Sequence, residues 1–129
     1  MNHEVVGVGT DIIEIARIQK AAANKIDHNF IRRVFTEQEI SFCSTRRNPW
    51  PSLAARFSAK EAVFKALGTG LTNWHEVEIL GGGGKPPQVV LTGAAAQKAT
   101  TLGISKVMVS LSHDHERAIA FAVAVGKEI

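Results

Sequence analysis

The chain is poor in cysteine and aromatic residues and has no long apolar run. Its 129 residues include one cysteine, six phenylalanines, two tryptophans and no tyrosine. A single cysteine excludes an internal disulfide and favours a reducing compartment, so we expect a cytoplasmic protein. No apolar run approaches the roughly 18 residues of a membrane span. The segment Asn2-His3-Glu4 leads straight into a strand-like stretch, so neither a signal peptide nor membrane association is expected.

The charge balance predicts an acidic partner without identifying it. Fifteen lysines and arginines against twelve acidic residues give a net charge of +3, and the basic residues are dispersed along the chain. Nucleic-acid-binding modules usually carry a named fold signature or interleaved aromatic residues. Neither is found here, so no nucleic-acid partner is expected. The length predicts one domain.

The most informative segment, residues 53–68, has the periodicity of a helix with two charged residues on its bulky apolar side. At about 100° per residue, Lys60 and Glu61 fall in this arc, opposite a face of small alanines. Burying an unpaired charge costs several kcal/mol, so Glu61 needs either a protein partner or a bound ligand. The simpler alternative is an i,i+4 ion pair with Lys65, worth roughly 0.2–0.5 kcal/mol.

A second carboxylate, Asp11, stands between two different patterns. A short β-branched strand with glycines at positions 7 and 9 precedes it, and an apolar pattern of helical period follows from Ile12 to Ile18. The sequence therefore predicts Asp11 at a strand-to-helix junction, exposed at the end of a sheet. The alternative is a helix cap in which Asp11 acts with Glu14. Gly7-Val8-Gly9 is not a dinucleotide fingerprint, because Ile12 occupies the third glycine position.

The rest of the chain predicts alternating helices and strands. Helices are expected from about Asp11 to Asn24, from the Thr36 capping box to Cys43, from the break at residues 48–52 to Gly68, and over residues 92–102. Strands are expected over residues 77–80, 88–91, 106–112 and 118–125. Both faces of the last strand are apolar, so helices or another subunit should cover both. A Walker motif fails in the four-glycine run 81–84, because Ile79 and Pro86 occupy its required positions, so Gly81–Gly83 predict a flexible hairpin loop.

Two further candidates for chemistry are weaker. Cys43 lies on a predicted helix, and we expect a core or surface residue, because a reactive thiol needs an accessible, electropositive setting. His113 and His115 would share one face of a strand, which raises the possibility of zinc. No third ligand follows at a regular spacing, so exposed turn histidines are the better prediction.

Taken together, five segments in this order make the chain resemble the small stand-alone 4′-phosphopantetheinyl transferases, the holo-acyl-carrier-protein synthases. They are Gly7-Val8-Gly9-Thr10-Asp11, Arg17-Ile18, Arg56-Phe57-Ser58-Ala59-Lys60-Glu61-Ala62, Lys65-Ala66-Leu67-Gly68-Thr69-Gly70 and Ser110-Leu111-Ser112-His113-Asp114. The resemblance implies an α+β fold, in which a small antiparallel sheet packs against helices, and a homotrimer with sites between subunits. It also implies transfer of phosphopantetheine from coenzyme A to a serine of an acyl carrier protein, releasing adenosine 3′,5′-bisphosphate.

The resemblance also implies roles for individual residues. Asp11 and Glu61 would hold Mg²⁺, an ion that prefers oxygen ligands and bridges to phosphates, and they would act in catalysis together with Lys65. The immediate base for the serine proton stays open between Glu61 and water. Arg17 would meet the carrier protein. The expected coenzyme A contacts are Arg47, Arg56, Lys60, Lys85, Pro86 and His113, with Arg46 and Arg47 not distinguishable from sequence.

Two other functions remain open from the residues alone. A different Mg²⁺-dependent pyrophosphate enzyme, such as a hydrolase, would turn over coenzyme A without any carrier. A basic module that docks carrier proteins without chemistry would need neither Asp11 nor Glu61.

Overall fold

A computed structural model describes residues 3–68 and 73–127, and Thr69 and Gly70 of the motif above lie outside them. Its elements in chain order are β1 (His3–Glu14), α1 (Ile15–Ala21), α2 (Asn29–Val34), α3 (Glu37–Ser44), α4 (Trp50–Ala66), a 3₁₀ turn (Trp74–Glu76), β2 (Val77–Gly82), β3 (Lys85–Leu91), α5 (Gly93–Thr101), β4 (Ile104–His113) and β5 (Arg117–Lys127). Within these two ranges, no helix has the length and apolar character to cross a membrane.

A three-stranded antiparallel sheet carries the longest helix. Its strand order is β1-β5-β4, while β2 and β3 form a separate antiparallel hairpin. Helix α4 packs across β1, β5 and β4, so it is the central element of the core. The fold is α+β, with a small antiparallel sheet against helices, as predicted.

Small residues allow α4 to lie unusually close to the sheet. The four alanines of β5 that face the helix are at most 1% exposed: Ala118, Ala120, Ala122 and Ala124. A Cβ added to Gly7 would overlap the carbonyl oxygen of Ala66, and one added to Gly9 would overlap that of Ala62. The glycines of β1 therefore permit direct contact between strand and helix backbones, and they do not form a phosphate-binding loop.

The prediction that a helix begins near Asp11 is wrong. Strand β1 runs on through Glu14, with Ile12 opposite Ile119 and Glu14 opposite Arg117 in β5. β-branched side chains suit a paired strand, and tertiary pairing overrides the helical period of this segment. The prediction that this helix ends near Asn24 agrees with the structure, where Asn24 follows α1 with a left-handed φ of +59°.

Other local signals gave correct predictions, and one helix was missed. Thr36 forms the predicted capping box with Glu39 at the start of α3. Helix α4 ends at Ala66, and Gly68, the predicted stop, follows two residues later with a φ of +72°. Helix α2 was not predicted. Its N-cap His28 accepts a hydrogen bond from the backbone of Phe30, a cap that sequence rules do not favour.

One face of the sheet is left uncovered by residues 3–68 and 73–127. Five large apolar side chains on it are between 44% and 60% exposed: Val8, Ile12, Met108, Ile119 and Phe121. The expectation that both faces of β5 are covered therefore holds within one subunit only for the alanine face.

Candidate active site

The alternation of β1 aims Asp11 at helix α4. Gly9 and Ile13, two residues before and after it, are buried on the helix-facing side of the sheet. The Asp11 side chain keeps only 18% of its surface exposed. Asp11 is not a helix cap, because Glu14 is the N-cap residue of α1 and its side chain makes no capping hydrogen bond. A strand interior fixes the direction of this carboxylate more firmly than a loop would.

Helix α4 presents three polar side chains on the same side, at intervals of three and four residues. The Ser58 hydroxyl donates to Oδ2 of Asp11 at 3.0 Å. The Lys65 ammonium lies 3.4 Å from Oδ1 of Asp11 and donates to the carbonyl oxygen of Thr10 at 2.9 Å. Glu61 lies between Ser58 and Lys65 along the helix. The Lys65 ammonium, one turn beyond Glu61, is thus bound to β1. The structure contains this contact in place of the simple i,i+4 ion pair between Glu61 and Lys65.

Glu61 is half-buried, and its pKa is raised. Burial is the larger cause, the negative charge of Asp11 adds to it, and the Lys65 ammonium opposes both. Two neighbouring carboxylates with one partly exposed lysine make a locally anionic site. Oxygen donors of this kind suit Mg²⁺, which keeps waters and substrate oxygens among its ligands. No cluster of three or more metal-ligating side chains occurs in residues 3–68 and 73–127, so protein groups would supply only part of a coordination shell.

The structure corrects the assignment of Lys60 to coenzyme A. This side chain is fully buried, and its ammonium lies 2.8 Å from Oε1 of Glu39. It also donates to the carbonyl oxygens of Trp74 at 3.1 Å and Val77 at 2.5 Å. Burial lowers the pKa of Lys60, which the Glu39 carboxylate counteracts. An ammonium with three internal partners and no exposed surface is structural.

Glu39 itself was missed as a site-supporting residue. Its Oε1 also accepts from the backbone of Thr36, and its Oε2 accepts from the backbone of Ile79. The carboxylate thereby ties α3 to β2 and, through Lys60, to α4. The sequence marked Glu39 only as half of a capping box, because nothing local reveals a partner so distant in the chain.

A cavity of about 510 Å³ lies on another side of α4, and its wall is cationic. Arg46, Arg56 and His113 line it together with the backbone of Gly81–Gly83. The guanidinium groups of Arg46 and Arg56 both stack on the ring of Phe42, at 4.7 and 4.4 Å from its centroid. Such a wall suits an anionic ligand with a flat group.

Arg56 is held in place but not fully satisfied. Its side chain is 6% exposed, and it donates to the carbonyl oxygen of Gly81 at 2.6 Å and to Ser52 Oγ at 3.4 Å. Its Nε is buried without an acceptor among the described residues. Since a buried unpaired donor costs about 1–3 kcal/mol, a ligand acceptor here would be favourable.

The predicted coenzyme A residues are divided by the structure. Arg56 and His113 line the cavity, whereas Arg47 is exposed and does not. The geometry therefore favours Arg46 over Arg47. Lys85 is exposed in β3 beside the cavity, and Pro86 lines a neighbouring groove. Pro87 is the residue of this stretch that reaches the cavity wall.

The carboxylates and the cationic cavity are separate within one chain. None of Asp11, Glu61 and Lys65 lines the cavity. Arg17 is exposed on α1 and does not line the cavity. The single subunit thus carries an anionic half-site and a cationic half-site on different surfaces.

The two weaker candidates have structural surroundings. Cys43 is buried, its sulfur lies 3.2 Å from Ser52 Oγ, and burial raises the pKa of the thiol. It is therefore unreactive. His113 and His115 are exposed, and Nδ1 of His113 contacts the carbonyl oxygen of Asp114 at 3.1 Å.

Comparisons with known proteins agree with this architecture. The 4′-phosphopantetheinyl transferase superfamily matches residues 7–122. A holo-[acyl-carrier-protein] synthase of Desulforudis audaxviator is 47% identical over 124 residues, covering 95% of this chain and 94% of the relative. A crystal structure of a Plasmodium yoelii holo-ACP-synthase superposes with a TM-score of 0.85 at 31% identity, covering 99% and 100% of the two chains. A Helicobacter pylori holo-[acyl-carrier-protein] synthase in complex with coenzyme A gives a TM-score of 0.77 at 30% identity, covering 91% and 98%.

Proposed function

Because the chain belongs to the holo-acyl-carrier-protein synthases of the 4′-phosphopantetheinyl transferase superfamily, we propose the following reaction for it. The enzyme transfers 4′-phosphopantetheine from coenzyme A to a serine hydroxyl of apo-acyl carrier protein, in the service of fatty acid biosynthesis. The P–O bond to the serine oxygen forms, the pyrophosphate P–O bond breaks, and adenosine 3′,5′-bisphosphate leaves. The observation that carries the proposal is the apposition of Asp11, Glu61 and Lys65 across β1 and α4.

Asp11 and Glu61 would hold Mg²⁺. The raised pKa of Glu61, due to burial and to the Asp11 charge, supports this assignment, because a divalent cation would relieve that repulsion. When bound, the ion neutralises charge on the pyrophosphate and aligns it for displacement. The Lys65 ammonium, 54% exposed, can turn toward the transferred phosphoryl group and stabilise the charge that develops there. Glu61, directly or through a water, accepts the serine proton.

The cationic cavity would receive the nucleotide end of coenzyme A. Arg46, Arg56 and His113 supply positive charge and hydrogen-bond donors for phosphate, and the Nε–H of Arg56 has no acceptor among the described residues. Phe42 fixes the planes of both guanidinium groups. Lys85 would add positive charge at the rim.

A homotrimer would join the two half-sites. The uncovered apolar face of the β1-β5-β4 sheet, including Ile12, Ile119 and Phe121, is the surface that a second and third copy would bury. Since one chain keeps its carboxylates outside its own cationic cavity, we propose that the cavity of one subunit works with the carboxylates of the next.

The carrier protein would dock at Arg17. This residue is exposed on α1, the helix that directly follows the strand bearing Asp11. Arg17→Glu is expected to raise the carrier KM and to weaken its dependence on salt, while coenzyme A binding stays the same. An unchanged carrier KM would remove Arg17 from the docking surface.

The decisive experiment is intact-protein mass spectrometry of apo-acyl carrier protein after incubation with the enzyme, coenzyme A and Mg²⁺. We expect the carrier to gain the mass of phosphopantetheine, and EDTA, Glu61→Gln or Asp11→Ala to abolish the gain. The exposed Ser44→Ala in α3 is the control variant, and it should behave as the parent. Consumption of coenzyme A without a gain would indicate the hydrolase, and no consumption with any carrier would indicate a binding module.

Arg46 and Arg47 provide a matched pair for the cavity. Arg46→Ala should weaken coenzyme A binding roughly 10- to 100-fold, as expected for a charge-assisted hydrogen bond of about 1.5–3 kcal/mol. Arg47→Ala, one residue away and outside the cavity wall, should change it little. Isothermal titration calorimetry of coenzyme A measures both, and the reverse order would return the role to Arg47.

A further inference from the structure

We propose that Ser58 is a positioning residue for the metal site: its hydroxyl holds Oδ2 of Asp11 so that Oδ1 is presented to the divalent cation. The inference rests on the proposed function, and it concerns a side chain that does not itself touch substrate.

The contact between Ser58 and Asp11 is built into the core. Ser58 is fully buried, and its Oγ lies 3.0 Å from Asp11 Oδ2. A second acceptor, the carbonyl oxygen of Ala118, lies farther away at 3.4 Å. A serine hydroxyl has one proton to donate, and the shorter contact to an ionised oxygen is the stronger one. Asp11 Oδ2 is thus the principal acceptor.

The other contact to Asp11 is weaker and movable. Lys65 approaches Oδ1 at 3.4 Å, longer than a good hydrogen bond, and its side chain is 54% exposed. An exposed lysine can leave Oδ1 when a cation or a phosphate arrives, whereas Ser58 has no solvent to turn toward. Of the two partners, Ser58 therefore sets the rotation of the carboxylate.

This rotation matters because the terminal torsion of an aspartate is broad. Without a partner on Oδ2, the carboxylate can turn about its last bond and offer either oxygen. Groups that orient a metal ligand in this way typically account for 10- to 100-fold in metal affinity. For Ser58→Ala we therefore expect an approximately tenfold or larger rise in the metal dissociation constant.

The test measures metal binding apart from turnover. Electron paramagnetic resonance with Mn²⁺, in the presence of coenzyme A and without carrier protein, gives the dissociation constant of the ion. Ser58→Ala should bind Mn²⁺ about tenfold or more weakly, and Ser58→Cys, with a weaker donor, should fall between it and the parent. The exposed Ser44→Ala, whose hydroxyl contacts the carbonyl oxygen of Ile40, should bind as the parent does.

A second measurement separates positioning from a general loss of structure. If Ser58 positions Asp11, raising the Mg²⁺ concentration should restore most of the carrier-modification rate of Ser58→Ala, with an unchanged KM for coenzyme A. Equal Mn²⁺ binding by Ser58→Ala and the parent would overturn the inference, and so would a loss of rate that excess Mg²⁺ cannot restore. A parent enzyme that neither binds Mn²⁺ nor modifies any carrier would instead refute the proposed function itself.

Discussion

Replacing Lys60 by methionine should destabilise the protein strongly while leaving the chemistry of the site intact. The change removes one charge of a pair in which both side chains have no exposed surface. Glu39 would keep its two backbone donors, from Thr36 and Ile79, but would lose its cationic partner. A buried carboxylate cannot replace that partner with water.

The magnitude follows from the burial of the pair. Removing one member of a buried ion pair costs about 3–5 kcal/mol, a large share of the roughly 5–15 kcal/mol that stabilises a typical domain. The entropy of unfolding is about 2.1 cal/mol/K per residue, or roughly 0.27 kcal/mol/K for a chain of 129 residues. The two values together predict a melting temperature lower by about 10 to 20 °C.

The assay is thermal unfolding at a fixed protein concentration, since the proposed assembly would make the midpoint depend on concentration. Lys65→Met is the matched control: it lies on the same helix, but it is 54% exposed and should shift the midpoint by only a few degrees. The double variant Lys60→Met/Glu39→Gln removes both charges and should recover part of the loss. If Lys60→Met kept the parental midpoint but bound coenzyme A more weakly, the buried-pair interpretation would be wrong.

Three further predictions test the packing, the electrostatics and the assembly. Gly9→Ala places a Cβ against the carbonyl oxygen of Ala62, so α4 must shift. We expect a loss of about 1–3 kcal/mol of stability in denaturant unfolding and a sharp fall in carrier modification. Unchanged values would contradict the close packing. Asp11→Asn removes one of the causes that raise the pKa of Glu61. An NMR titration of the metal-free protein should therefore show the pKa of Glu61 falling toward its ordinary value. No change would leave burial as the sole cause. Phe121→Asp puts a charge on the apolar sheet face, where Phe121 is 47% exposed. Sedimentation should then show monomers in place of the proposed trimer. A variant that still forms the trimer would place the interface elsewhere.

The direction of the Glu61 shift also fixes a pH dependence. A raised pKa means that the neutral acid of Glu61 persists to higher pH than usual. The contribution of Glu61 to stability is therefore present below its pKa in the unfolded chain, and it is lost as the pH rises through its pKa in the folded protein. The proposed binding of Mg²⁺ needs the ionised form of Glu61. Activity should therefore rise with pH on its acid side, and added Mg²⁺ should move that limb to lower pH.

Local signals predicted the elements that local chemistry controls. The Thr36 capping box and the stop near Asn24 are satisfied by neighbouring backbone atoms, and the structure contains both. The segment from Ile12 to Glu14 was wrongly predicted as helix, because its conformation is decided by pairing with β5. Periodicity cannot detect a partner strand more than a hundred residues away.

The same distinction applies to the site. The sequence singled out Asp11, Glu61 and Lys65, and strand alternation together with helical spacing brings Lys65 to Asp11. It did not identify Ser58 as a partner of Asp11 or Glu39 as the partner of Lys60, since both pairings depend on how α4 lies against other elements. Arg46 and Arg47 were separable only once the direction of each side chain was known.

The close contact of Gly7 and Gly9 in β1 with the carbonyl groups of Ala66 and Ala62 in α4 fixes the distance between the two elements that carry the proposed metal ligands. At Gly7 and Gly9, there is no room for even one carbon atom between the strand and the helix carbonyls. Main-chain atoms therefore set the spacing between the strand that carries Asp11 and the helix that carries Glu61, and no substitution can shorten it. Redesigning the site for an ion of different radius would have to proceed through side chains such as Ser58, because any change in the packing residues can only force the two elements apart.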